Sequence, residues 1–297
     1  MALEIDLSDR VVLVTGGVRG VGAGISREFL AAGATVVTCA RREPETPVHH
    51  DGRQAHFLPC DVRDAEAVRG LIDTVVATHG RLDHVVNNAG GAPFAPAATA
   101  SVNFHTKILE LNLMSALWVS QAANAVMQEQ AEGGSIVMIS SLSGHRPSPG
   151  TAAYGAAKAG VDSLTQSLAM EWAPKVRVNS LIVGPVETEL SELHYGDRAG
   201  IEAVAATIPL GRLAAPADVG RVAAFLASPL AAYVSGAMVQ VHGGGERPPF
   251  LDVATAGNVH APHRSTGSAT NGTAQADGSP AANGTASTSG AGEQRRA

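Results

Sequence analysis

The sequence predicts an α/β domain whose seven-stranded parallel sheet is doubly wound, with helices on both faces. Three observations lead to it. Short runs rich in valine and isoleucine alternate with longer helical segments. Most of these runs lack polar alternation, as strands covered on both faces do. A glycine cluster joins the first run to the first helix.

The first strand is VVLVT at 11–15, followed by a glycine segment and a helix over 22–32. TVVTCA at 35–40 is the second strand and AHFLP at 55–59 the third. The segment between them, Arg41 to Gln54, contains Pro44 and Pro47 and is too short for a full crossover helix. Its spacing predicts a loop or a single turn. His49, His50 and His56 lie there without a carboxylate or thiolate pattern, so they read as solvated loop residues and no metal is expected. A helix over 65–79, the strand HVVNN at 84–88, a long helix over 101–130 and the strand SIVMIS at 135–140 follow. Then come a helix over 151–172, the strand VRVNSLIV at 176–183, a helix over 216–226 and the last strand, MVQVH at 238–242. The stretch 189–212 reads as a mobile lid with a short helix near 200–207.

Composition bounds the function. The chain has 297 residues, 45% of them hydrophobic, which suits a large core. Its net charge of -6 argues against nucleic acid, which would want a basic stripe. No apolar stretch is long enough to span a membrane. The opening MALEIDLSDR lacks a basic segment leading into an apolar one, so a cytoplasmic location is expected. Two cysteines, Cys39 and Cys60, make no disulfide framework and read as buried thiols. Residues 1–250 form the expected catalytic domain. Residues 251–297, mostly Gly, Ala, Ser, Thr and Asn, bury too little apolar surface to offset ordering entropy and read as a disordered low-complexity tail.

Two motifs carry chemistry. TGGVRGVG at 15–22 places Gly16, Gly20 and Gly22 between a strand and a helix. Glycines there allow a tight turn and close approach of a diphosphate, and the helix N-terminus offers free N–H groups and a positive dipole end. TAAYGAAKAG at 151–160 puts Tyr154 and Lys158 at i and i+4, on one helix face. They are either surface residues on an alanine-rich helix or a proton donor and the charge that tunes it. A phenol ordinarily titrates near 10. An ammonium about 4–5 Å away favours the phenolate by roughly 3–4 kcal/mol, or about 2–3 pKa units, which brings it near a working pH. The small neighbours Ala153, Gly155, Ala156 and Ala157 would let another element approach this helix.

The glycine segment, Asn87–Gly90 as NNAG, Ser141, the Tyr154 to Lys158 pair and Gly184 with Thr188 stand in the order of the short-chain dehydrogenase/reductase family. Over roughly residues 5 to 245 the chain resembles a compact, single-domain, Rossmann-type member, similar to 3-oxoacyl reductases. The resemblance implies a nicotinamide-dependent interconversion of a carbonyl and a secondary alcohol. Tyr154 would exchange a proton with the substrate oxygen, Ser141 would hold that oxygen, and Lys158 would also bond the nicotinamide ribose. Asn112, otherwise an ordinary polar residue of a long helix, matches the asparagine that holds a water in the proton relay. The cofactor-binding set comprises Gly16, Gly17, Val18, Arg19, Gly20, Val21, Gly22, Arg41, Asp61, Val62, Asn88, Ala89, Gly90, Tyr154, Lys158, Val186 and Thr188. Within it, Val186 would offer a backbone amide and Thr188 a hydroxyl to the carboxamide, and Asp61 would face the adenine.

Cofactor choice is read from the end of the second strand. Ala40 stands at the family's acidic position, Arg41 follows, and Arg19 lies in the glycine segment. Two guanidiniums suit a ribose 2′-phosphate, so NADP(H) is favoured over NAD(H), with Glu43 the competing acidic group. Two departures stand out: Pro185 follows Gly184 where the family has a proline before the glycine, and His242 replaces a frequent aspartate. The substrate reads as an apolar ketone, a 3-oxoacyl thioester or a steroid-like compound, with His145, Arg146, His194 and Tyr195 as polar contacts. The helices over 151–172 and 101–130 resemble the paired helices of family oligomers, giving an expected homotetramer or homodimer. The alternatives are a non-catalytic cofactor-sensing regulator on the same fold, disfavoured by the intact Tyr154 and Lys158, and a sugar-nucleotide epimerase or dehydratase, disfavoured by the short segment after Thr188.

Overall fold

The computed structural model describes residues 5–250; residues 1–4 and the predicted tail, 251–297, lie outside the described residues. In chain order the elements are β1 (Val11–Thr15), α1 (Gly20–Ala31), β2 (Thr35–Ala40), β3 (His49–His50), β4 (Arg53–Gln54), β5 (His56–Pro59), α2 (Ala65–His79) and β6 (His84–Asn87). They continue with α3 (Val102–Leu109), a π-turn (Glu110–Met114), α4 (Ser115–Glu129), β7 (Gly134–Ser141) and α5 (Ala152–Glu171). The last are β8 (Val176–Val183), α6 (Ser191–Tyr195), α7 (Arg198–Ala206), α8 (Pro216–Ala227) and β9 (Met238–Val241).

Seven strands form one parallel sheet in the order β5-β2-β1-β6-β7-β8-β9. The order reverses between β1 and β6, and such a reversal opens a crevice at the carboxyl ends of the strands. β1 shows why the apolar runs lack alternation. Val11 and Leu13 face one core with α2, α4 and α5, while Val12 and Val14 face a second core with α1 and α8. Gly24 permits the α1–α8 packing, because a Cβ there would lie 2.3 Å from the Cβ of Pro216.

Three segments differ from the sequence expectation. Residues 41–54 hold neither a plain loop nor a single turn, since β3 and β4 pair as an antiparallel hairpin. Asp51 and Gly52 at its tip both have positive φ, 43° and 76°, which is the turn that an Asp-Gly pair favours. The long helix over 101–130 is broken by the π-turn at Glu110–Met114. The lid region contains α6 as well as the expected helix, α7.

The amino ends of the strands are closed by charge. Asp83 accepts from the backbone N–H of Val11 at 2.9 Å and from Arg81 and Arg10, and both arginines also reach Glu132. Beside it His84 is buried, with Nδ1 2.8 Å from the Ser135 hydroxyl and no hydrogen-bond partner for Nε2 among the described residues. Burial, assisted by nearby arginines, pushes its imidazole down to about 4. The native state therefore binds the proton more weakly than the unfolded chain, and stability is complete above about pH 6.5. It should fall by about 3 kcal/mol as pH drops from 6.5 through 4. Denaturant midpoints of the wild type and His84→Gln, compared at neutral and mildly acid pH, check this. The wild type should lose more stability on acidification, and equal losses would contradict it.

Candidate active site

The crevice between β1 and β6 is a cleft of about 500 Å³. Its floor begins with the glycine segment. Gly16 has a φ of 63°, and a Cβ on Gly22 would lie 2.2 Å from the Gly16 carbonyl oxygen, so the turn can close only on glycine. Ser26 donates to the carbonyls of Gly17 and Gly22, each at 2.9 Å, and fixes the turn to α1. Thr15 Oγ1 accepts from the backbone N–H groups of Asn88 and Ala89, and Asn88 Nδ2 returns to the carbonyls of Thr15 and Gly16. The ends of β1 and β6 are thereby cross-linked, and the N-terminus of α1 opens onto the cleft.

The predicted site residues Gly16, Val18, Arg19, Gly20, Val21, Gly22, Arg41, Asp61, Val62, Asn88, Ala89, Gly90, Ser141, Tyr154, Lys158, Val186 and Thr188 all line this cleft. Two others do not. Gly17 is buried beneath the turn, where a Cβ would lie 2.8 Å from Ser26, Thr38 and Val14. Asn112 lies behind the wall, held by the loop after β6: its Oδ1 accepts from Gly91 N–H at 2.7 Å, and its Nδ2 donates to the carbonyls of Gly91 and Ile108. Its place on the π-turn explains why a regular-helix reading misses this contact.

At one end of the cleft Ser141 closes β7, and Tyr154 and Lys158 rise from α5. Lys158 Nζ donates to the Ile139 carbonyl at 2.7 Å and stands 5.6 Å from the centre of the Tyr154 ring. A Cβ on Gly90 would meet Asn112 Oδ1 at 2.7 Å and Lys158 Nζ at 3.3 Å, so these three residues converge. The Tyr154 ring is partly exposed, but burial around its hydroxyl pushes the phenol above its ordinary value, with the Ser141 hydroxyl opposing the shift. This corrects the expectation that Lys158 brings the phenol near neutrality: in the protein by itself burial dominates, and the group that opposes it is the Ser141 hydroxyl. Burial also lowers Lys158, to about 8, against the raising effect of Asp162.

The small residues of α5 serve the chain itself. A Cβ on Gly155 would lie 2.7 Å from the Ser143 carbonyl, and one on Gly160 would meet Leu113 at 3.0 Å. At the other end of the cleft Arg63, which sequence reasoning missed, holds Asp61 through two bonds of 2.9 and 2.6 Å and keeps its carboxyl below the usual range. Arg19 and Arg41 have no ion-pair partner among the described residues. Glu43 lines a separate cavity beside β5. Val186 bridges to Ala214 through its neighbours, Pro185 O and Glu187 N, which leaves its own N–H out of the bridge. His194 and Tyr195 of α6 line the mouth. His242 backs Gly184 rather than entering the cleft. Among the described residues no three His, Cys, Asp or Glu converge as metal ligands would, and no helix is long and apolar enough to cross a membrane.

Comparison with known proteins places this geometry among enzymes. The family model described as Enoyl-(Acyl carrier protein) reductase matches residues 16–246. L-fucose dehydrogenase of Oryctolagus cuniculus is 38% identical over 253 residues, 83% of this chain and 88% of the relative. 3beta-hydroxysteroid dehydrogenase 1 of Eggerthella lenta is 34% identical over 246 residues, 80% of this chain and 94% of the relative. The ligand-free structure of Thermoplasma acidophilum aldohexose dehydrogenase superposes with a TM-score of 0.76 at 28% identity, covering 88% of this chain and all of the other.

Proposed function

The chain belongs to the short-chain dehydrogenase/reductase family, nicotinamide-dependent oxidoreductases acting on CH–OH and C=O groups, and on that premise we propose that Tyr154 is its proton donor and acceptor and NADP(H) its cofactor. The observation that carries the proposal is the convergence of Tyr154, Ser141 and Lys158 at one end of a cleft whose other end is a helix N-terminus with two unpaired arginines.

The residues fit such a cofactor. Gly22 leaves a cradle that a Cβ would fill, and the N-terminus of α1 favours a diphosphate. When bound, the nicotinamide supplies or accepts the hydride. Everything else is positioning and proton handling by the protein. Ser141 and Tyr154 bond the substrate oxygen from one side, and the phenol, held protonated by its buried setting, donates as that oxygen gains charge. Lys158 stabilises the phenolate left behind and bonds the ribose. Asn112, whose amide is engaged with Gly91 and Ile108, is the residue proposed to hold the water of the proton relay. Val186 N–H and Thr188 orient the carboxamide. Ala40 and Arg41, with Arg19, form the 2′-phosphate end, and Glu43 in its separate cavity does not compete there.

The proposed substrate is a ketone or secondary alcohol with a broad apolar face, a 3-oxoacyl thioester or steroid-like compound among the candidates, that presents a polar group to His194 and Tyr195. The names of the relatives span sugars and a steroid, so a sugar hydroxyl is a second candidate for that polar group. Residues 1–250 would constitute the catalytic domain, acting in the cytoplasm, where two free buried thiols stay reduced.

Assembly is proposed as a homotetramer, with a dimer as runner-up. Val102 on α3, Met170 on α5 and Tyr233 before β9 are 83%, 84% and 105% exposed. Exposed apolar side chains on several elements suit burial against further copies of the chain. Light scattering at micromolar concentration should give a multimeric mass, and a monomer would refute both assemblies.

Turnover tests the catalytic assignment. With a panel of carbonyl substrates and NADPH, Tyr154→Phe should bind cofactor within a few-fold of wild type but turn over at least about a hundredfold more slowly. Near-normal turnover would overturn it.

The wild type should favour NADPH over NADH by at least about tenfold in kcat/KM, roughly 1.4 kcal/mol. Arg41→Ala should remove most of that preference by weakening NADPH alone. A wild-type preference for NADH, or unchanged selectivity in the variant, would refute the choice of cofactor.

A further inference from the structure

Behind the proposed catalytic pair lies a polar cluster that the reaction as described does not use. Asp162 is the next residue at i+4 spacing after Tyr154 and Lys158 on α5, and its side chain is 5% exposed. Oδ1 accepts from the Ser180 hydroxyl on β8 at 2.7 Å. Oδ2 accepts from the Ser140 hydroxyl on β7 at 2.6 Å and lies 2.8 Å from His145 Nε2 on the turn after β7. Ser140 could also reach the Lys158 carbonyl, at 3.3 Å, but the bond to Asp162 is much the shorter. Two hydroxyls and an imidazole nitrogen directed at one buried carboxyl are the surroundings of a carboxylate, because a carboxylic acid would bring an O–H of its own.

We propose that Asp162 is a positioning residue for the reaction proposed above: a buried carboxylate one helical turn beyond Lys158 that serves as the counter-charge behind the lysine and ties β7 to β8 beneath it. The inference rests on the assignment of Tyr154 and Lys158. The cluster is a built one, with donors from three separate elements meeting one acceptor. Its sign is also what the site needs. Lys158 is buried with a single hydrogen-bond acceptor, the Ile139 carbonyl, and burial drives it towards its neutral form. Asp162 is the charged group that opposes this. The titratable groups around Lys158 are then Tyr154 and Asp162 on its own helix, with His145 reaching Asp162 from the β7 turn; Ser140 and Ser180 face the cluster from the strands and Asn112 from the π-turn. His145, with its side chain 37% exposed, is the cluster's outlet to solvent. In the sequence His145 reads as a polar contact for the substrate, and neither Ser140 nor Asp162 carries a signal of its own. Three polar residues on separate elements become one cluster only when β7, β8 and α5 pack.

The test reads cofactor binding, so it needs no substrate. NADPH affinity of the full chain is measured from about pH 7 to 10, above the phosphate's own titration. In the wild type, affinity should fall as Lys158 loses its proton, with a midpoint near 8, and Lys158→Met should abolish that fall. Asp162→Asn should move the midpoint to lower pH by about half a unit or more, because a favourable negative charge is gone. Ser180→Ala removes a hydrogen bond but no charge, so it should lower the melting temperature and leave the midpoint in place. If Asp162→Asn does not fold, the variant Ser140→Ala/Asp162→Leu/Ser180→Ala gives the same comparison with no donor of the strands left unpaired. A wild-type midpoint in the carboxylate-free protein, or an equal shift in Ser180→Ala, overturns the proposal. If Tyr154→Phe retains turnover, the functional assignment fails; if that variant is inactive and the midpoint stays put, only the role of Asp162 fails.

Discussion

Thr15 ends β1 and Asn88 follows β6, and their side chains tie the two strand ends together where the sheet order reverses. The cleft depends on this seam. The chain leaves β1 towards β2 and β5, then returns to β6 on the other side, so helices cannot cover the gap from both directions. The glycine turn sits on the seam, and Asn88 holds two of its carbonyls. That leaves the N–H groups at the start of α1 directed into the opening, and it sets the distance from the turn to β7 and α5 on the far side.

Burial and charge then divide the cleft. At the end built by β7 and α5 desolvation raises Tyr154 and lowers Lys158, so both groups are pushed towards their neutral forms. Ser141 and Asp162 each oppose one of those shifts. At the end built by β2 and β5 the charges are partly exposed and cationic. Arg63 pairs with Asp61, whose carboxylate Arg41 also stabilises, and neither Arg41 nor Arg19 forms an ion pair among the described residues. One end thus suits proton handling in a low dielectric and the other suits an anion met in water.

Relatives named for a sugar and for a steroid cover four-fifths or more of the chain at 34% to 38% identity. The family model spans residues 16–246, from the glycine turn through the last strand. Fold and reaction class are therefore common property of the family, and fold by itself does not fix the substrate.

The sequence by itself determined the seven strands, the parallel winding and the glycine turn, tyrosine and lysine that line the cleft, because these follow from local pattern: apolar runs buried on both faces, glycines at a strand–helix turn, and a tyrosine and lysine one helical turn apart. Asp51-Gly52 was equally local, and its hairpin could have been read from the turn chemistry of that pair. What only the tertiary structure decided depends on groups far apart in the chain. Asn112 sits on the π-turn, where its amide meets Gly91, and Gly17 lies beneath the glycine turn, where Thr38 and Ser26 leave no room for a Cβ. Tyr154 is raised rather than lowered because desolvation is set by everything packed around a hydroxyl, whereas spacing reports only the nearest charge. Asp162 gathers Ser140, His145 and Ser180 for the same reason: a buried carboxylate collects its donors from whichever elements the fold brings within hydrogen-bond reach.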